Sequence, residues 1–127
     1  INFMLAKGGT PIMAIGCPGG DAQAQANLQL LLNTVVWGMN PQEAVESPRF
    51  SSLSVPNSFY PHDYLAGQLA LEDTFPPTPL DTLTNMGHHV TCVGTCGMGA
   101  TVTTRNPTTG VFATGADPRR SCYAIGW

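Results

Sequence analysis

The chain has 127 residues, of which only 10% are charged, and a formal net charge of −3. An average soluble domain carries roughly 25% charged residues, so much of this surface is expected to be covered by other polypeptide. The mild negative charge and the lack of basic clusters argue against nucleic-acid binding, and no run of about 20 apolar residues could span a membrane.

Asn2–Lys7 and Pro11–Gly16 read as two strands joined at Gly8-Gly9-Thr10, a hairpin with glycine at the bend. A strand-to-helix turn follows, Gly16-Cys17-Pro18-Gly19-Gly20-Asp21. Two adjacent glycines there let backbone N–H groups approach a ligand without interference from a Cβ. Asp21 stands where a carboxylate caps a helix by accepting from its first free N–H groups. From about Ala22 the chain reads as a long helix, because Leu28, Leu31, Leu32, Val35, Val36 and Met39 recur at helical spacing, with Leu30 widening the apolar side. Those residues are the expected core face, and Trp37 is expected in the core with them.

Gly38 and Asn40 mark the end of that helix. Pro41 starts a short second helix running to about Glu46, and Pro48 stops it. Ser51 to Pro79, rich in Pro, Ser and aromatics, is expected to be an irregular excursion. A helix begun near Pro79 ends at Gly87. His89–Val93, Ala100–Arg105, Gly110–Thr114 and Ser121–Ile125 read as strands, with a turn over residues 106–110. Strands feeding one sheet, with helices on one face of it, make the fold class α+β.

Cys17, Cys92, Cys96 and Cys122 do not form a metal framework. Cys92 and Cys96 have loose ligand spacing with His88 and His89 nearby, but no second Cys pair completes a zinc ribbon. Buried thiols and a single disulfide are both compatible with this count. No metal and no cofactor are implied. His62, His88 and His89 have no carboxylate at relay spacing. No signal peptide is visible, and the compartment stays open between cytoplasmic and periplasmic or extracellular.

Several blocks in register resemble the C-terminal part of the small subunit of the γ-glutamyltranspeptidase family. They are Gly16-Cys17-Pro18-Gly19-Gly20-Asp21, then Trp37-Gly38-Met39-Asn40-Pro41-Gln42-Glu43-Ala44-Val45 running into Glu46-Ser47-Pro48-Arg49-Phe50. Gly87-His88-His89-Val90 and Gly115-Ala116-Asp117-Pro118-Arg119-Arg120 follow, so the resemblance covers nearly the whole chain. It implies a single structural unit, part of an αββα sandwich of the N-terminal nucleophile hydrolases, and not a complete enzyme. In that family a precursor cuts itself to expose a threonine whose hydroxyl attacks an amide carbonyl and whose α-amine serves as base.

The resemblance implies that Gly19 and Gly20 donate their N–H groups to the oxyanion. Each such donor contributes roughly 3 kcal/mol in comparable sites. Ile1 carries no nucleophile, so the threonine is expected on upstream polypeptide, the partner of this chain. Cys17 beside the glycines has no local His to activate it. Typical transpeptidases have Ser-Arg after the glycines; Asp21-Ala22-Gln23 resembles instead a broader branch of acylases and amidohydrolases.

A small amide is the expected substrate class, with glutathione-like γ-glutamyl compounds as the alternative and a non-catalytic binding module as a second one. Asp21 and Gln23 are candidate substrate contacts, with helix capping or packing as the plainer roles. Arg49, Asp117 and Arg119 are expected to be structural, the last two fixing the final turn.

Overall fold

A computed structural model of the protein describes residues 1–96 and 99–126. By its internal contacts the chain divides into two compact units, one made of Ile1–Gly19, Gln23–Ser47 and Met98–Trp127, the other of Gly20–Ala22 and Pro48–Gly97.

The first unit is a four-stranded antiparallel sheet of order β1-β2-β6-β7, formed by β1 (Asn2–Lys7), β2 (Thr10–Gly16), β6 (Thr101–Arg105) and β7 (Phe112–Ala116). Helices α1 (Ala22–Val35) and α2 (Pro41–Glu46) belong with it. Alternate residues Met13, Ile15 and Val102 point into a core shared with Cys17, Ala26, Leu30, Val45 and Ala100, as the period-two rule for strands requires. The opposite face of the sheet carries Asn2, Met4, Ala14, Thr101 and Thr103 around a shallow cavity of about 490 Å³.

Helix α1 buries only part of the apolar side expected of it: Leu30 is in the core and Leu31 packs against it, while much of the rest of that side turns outward. Ala26, Leu30 and Asn33 lie inward with Asn27, whereas Leu28, Val35, Val36 and Trp37 are exposed, Trp37 by 62% and Leu30 by 0%. Two buried asparagines make this orientation possible. Asn33 Nδ2 donates to the Ala44 carbonyl at 3.2 Å and Asn27 Nδ2 to the Ile1 carbonyl at 3.1 Å, so each buried nitrogen has an acceptor, while Asn27 Oδ1 is buried without a partner among the described residues.

Local chemistry sets α2. The Asn40 side chain accepts from the amides of Gln42 and Glu43, and Glu43 Oε2 accepts from the Asn40 amide, closing a capping box with Pro41 at the first helical position. Helix α2 packs on β6 and β7, and the approach to β7 is so close that a Cβ on Gly115 would meet the Pro41 carbonyl. Gln42 adds a strand-like pairing to the edge of β7: its Nε2 donates to the Ala116 carbonyl and its Oε1 accepts from the Ala116 amide, both at 3.1 Å.

The second unit holds a three-stranded sheet of order β3-β4-β5, from β3 (Phe50–Ser52), β4 (Gln68–Glu72) and β5 (His89–Val93). Strand β4 is antiparallel to β3 and parallel to β5, to which it connects through α3 (Thr78–Asn85), the connection that parallel strands need. Helix α3 ends in a Schellman motif, with the His88 amide on the Leu83 carbonyl and the Gly87 amide on the Thr84 carbonyl.

The expected irregular excursion from Ser51 to Pro79 therefore contains β4 and most of β3. Leu69, Ala70 and Leu71 of β4 are all buried, so the central strand shows a continuous apolar run without alternation. Ser121–Ile125, expected as a strand, has no strand structure, and the last strand is β7, two residues later than anticipated.

Candidate active site

Strand β2 ends at Gly16, and the Cys17 amide donates back to the Ile1 carbonyl at 3.2 Å. Cys17 is buried in the core of the first unit, with its thiol toward the Pro18 carbonyl at 3.5 Å. Gly19 then adopts φ +101°, a left-handed value that strains any residue with a Cβ. Helix α1 starts at Ala22. Among the described residues, neither the Gly19 nor the Gly20 amide donates to a protein acceptor. Two consecutive backbone donors are thus left open where the chain enters a helix, a place that favours negative charge.

Asp21 does not spend its carboxylate on capping α1. Both oxygens accept from Ser58, one from its hydroxyl at 2.6 Å and one from its amide at 2.7 Å. The Ser58 hydroxyl first, and its amide second, hold the Asp21 carboxyl below the usual carboxylate range. Two donors from one residue outcompete the cap because they match both oxygens of an ionised group.

The sequence model of the family described as Gamma-glutamyltranspeptidase matches residues 1–127. The chain belongs to that family. It is 30% identical over 125 residues to the glutathione hydrolase-like YwrD proenzyme of Bacillus subtilis, a match covering 97% of this chain and 23% of that relative. Its structure is similar to that of a cephalosporin acylase from Bacillus halodurans, with a TM-score of 0.84 and 31% identity over 99% of this chain and 22% of the other. A γ-glutamyltranspeptidase mutant from Helicobacter pylori gives 0.79 and 27%, covering 94% of this chain and 60% of that one. The chain spans less than a quarter of the length of the curated relatives it matches first. Its fold is that of part of an N-terminal nucleophile hydrolase sandwich.

The remaining candidate residues of this family member fall in separate places. Gln23 sits in the first turn of α1 and its side-chain oxygen accepts from the Ile1 nitrogen, which also donates to the Cys17 carbonyl at 3.1 Å. Arg49 is buried in the second unit, where its amide donates to Glu72 Oε2 at 2.9 Å and its carbonyl accepts from the Glu72 amide at 3.0 Å. The buried Glu72 also takes the Cys96 amide on Oε1 at 3.0 Å and the Thr95 hydroxyl at 3.3 Å.

Asp117 and Arg119 come together in the first unit. Arg119 Nη1 lies 3.1 Å from Asp117 Oδ1, and Asp117 Oδ2 accepts from the Ala100 amide at 3.2 Å. Among the described residues no three His, Cys, Asp or Glu side chains converge as metal ligands, and no helix is long and apolar enough to cross a membrane.

Sequence reasoning missed Ser58. It lies 37 residues from Asp21 in a segment without periodicity, and a serine in a Pro- and Ser-rich stretch gives no signal of its own. It also gave no role of its own to Gln42, which stood only as one residue of the block from Trp37 to Val45.

Proposed function

We propose that this chain supplies the oxyanion-stabilising turn of a transpeptidase-like amide hydrolase or acyltransferase, acting with an N-terminal threonine on other polypeptide of the same proenzyme. The open amides of Gly19 and Gly20, with Gly19 held in the left-handed region, carry this reading. In the reaction, the threonine hydroxyl oxygen bonds to the amide carbonyl carbon while the α-amine takes its proton. Electron density moves onto the carbonyl oxygen, where the two N–H groups meet it at fixed positions. The C–N bond then breaks, the leaving amine departs with the proton, and an ester acyl-enzyme remains for water or an acceptor amine to resolve.

The helix-free face of the first sheet, around Asn2, Met4, Thr101 and Thr103, is the face on which a second sheet of such a sandwich would lie. That arrangement gives the low charge of the chain a physical cause.

The test is Gly19→Ala in the complete enzyme. A Cβ at φ +101° displaces the peptide, so acylation should slow by about a hundredfold or more while self-cleavage products still form. Unchanged acylation would remove the assignment.

A second reading, hydrolysis or transfer of γ-glutamyl groups, draws on relatives named glutathione hydrolase. Comparing γ-glutamyl anilide with simple acyl anilides as substrates separates the two.

A further inference from the structure

Glycine at position 19 follows from its backbone angle, but glycine at position 20 does not, since its φ lies outside the left-handed region. What a side chain there would meet is an aromatic ring, which would have to give way. A Cβ built on Gly20 would lie 3.0 Å from Cε2 of Phe59, closer than ordinary van der Waals contact.

Phe59 belongs to a loop that is closed on itself. The Asn57 amide donates to the Asp63 carbonyl at 2.9 Å, and the Phe59 amide to Asn57 Oδ1 at 2.8 Å. His62, at φ +67°, donates its amide to the Phe59 carbonyl at 2.7 Å, and its Nδ1 lies 2.8 Å from the Asn57 carbonyl. Such a loop is compact and held by its own bonds, so its register on the glycine turn is set where it is tied down. The tie is Ser58, whose hydroxyl and amide both end on Asp21. Two charge-assisted bonds to one carboxylate fix a direction as well as a distance, which a single bond does not.

We propose that Asp21 and Ser58 are positioning residues: their two-bond latch seats the 57–63 loop so that the Phe59 ring backs Gly20 and fixes its peptide for oxyanion binding. Asp21 thereby acts through the loop and touches no reacting atom. The latch deepens the oxyanion reading above and rests on it for its effect on turnover, but the seating of the loop does not depend on that reading. All the groups involved, Gly20, Asp21 and residues 57–63, lie within the second compact unit.

The experiment uses the complete, self-processed enzyme with Ser58→Ala, Ser58→Thr and Asp21→Asn, and a double-mutant cycle of Gly20→Ala with Phe59→Ala. Ser58→Ala should lower kcat by about ten- to a hundredfold, the scale expected for a slightly misplaced catalytic group, with KM little changed. Ser58→Thr keeps both donors and should restore kcat, whereas Asp21→Asn should fall between. Gly20→Ala should cost much less in the Phe59→Ala background than in the parent, because the ring it strikes is gone. Amide hydrogen exchange over residues 57–63 reads the latch without reference to turnover, and Ser58→Ala should speed it.

Faster exchange with kcat unchanged in every variant, Gly19→Ala included, would overturn the oxyanion reading and leave the latch as a structural device. Unchanged exchange in Ser58→Ala, or additive effects of Gly20→Ala and Phe59→Ala on kcat while Gly19→Ala still slows acylation, would overturn the latch itself.

Discussion

Arg119 donates to the Val45 carbonyl at 2.6 Å and to the Ser47 carbonyl at 3.0 Å, and so closes the C-terminal end of α2. Its guanidinium and its amide also meet Asp117 Oδ1, at 3.1 and 3.0 Å, while Asp117 Oδ2 holds the Ala100 amide. One ion pair therefore ties a helix end, the start of β6 and the residue that follows β7.

Removing the cation alone leaves a carboxylate with no exposure at all in the core. Arg119→Met should destabilise the complete enzyme by about 3 kcal/mol, the low end for breaking a buried ion pair, because Asp117 keeps its backbone amide donors. Arg119→Lys should recover only part of this, since an ammonium cannot span two carbonyls and a carboxylate from one planar fork. Denaturant unfolding checks both, and equal stability of the Met and Lys variants would count against the bridging geometry.

Gly115 is the companion case on the same helix. Its missing side chain lets the α2 backbone rest on β7, and a Cβ would meet the Pro41 carbonyl and the Gln42 nitrogen, both of them backbone. Backbone cannot turn aside as a flexible side chain can. Gly115→Ala should cost about 3 kcal/mol, the upper end for overpacking, and should break the pairing of Gln42 with Ala116. Soluble expression with an unshifted thermal midpoint would show that α2 can lift away freely.

What was legible in the sequence is what local chemistry decides. The β1–β2 hairpin needed only its glycines, and α2 only Asn40, Pro41 and Glu43, all within one turn. The apolar stripe of α1 was right for Leu30 and Leu31 but misled at Leu28, Val35, Val36 and Trp37, because the face chosen depends on distant partners. Asn33 could be buried only because the Ala44 carbonyl was waiting, and Asn27 only because of Ile1. Strand β4 was hidden for the opposite reason: a central strand has no polar side to alternate with. At the candidate site the glycines stood out from their place between strand and helix. Ser58 did not, because its whole significance lies in meeting Asp21 across 37 residues.

Cys17 offers a clean separation of packing from chemistry. The residue is 2% exposed and belongs to the core cluster with Met13, Ile15, Leu30 and Val102, and its thiol faces the Pro18 carbonyl. Cys17→Ala should retain turnover of the complete enzyme and lose about 1 kcal/mol of stability, the cost of a small buried group. Abolished acylation in a variant that is folded and self-processed would return the thiol to the list of nucleophiles.

The Asp21 carboxylate should report the latch directly through its own titration. Ser58 bonds to the charged form, so the folded pKa lies below the ordinary carboxylate value. A depressed folded pKa means that the contribution of the pair to stability is present above the unfolded pKa and is lost as pH falls through the folded one. The loop should therefore stay seated through the mildly acidic range and loosen only below the usual carboxylate midpoint. Carboxyl-carbon NMR of Asp21 should show a midpoint that rises toward the ordinary value in Ser58→Ala, because both of the donors that favour the anion are then displaced or weakened. The same low midpoint in parent and variant would mean that Ser58 does not hold the charge, and the attachment of the 57–63 loop would have to come from the Phe59 ring alone.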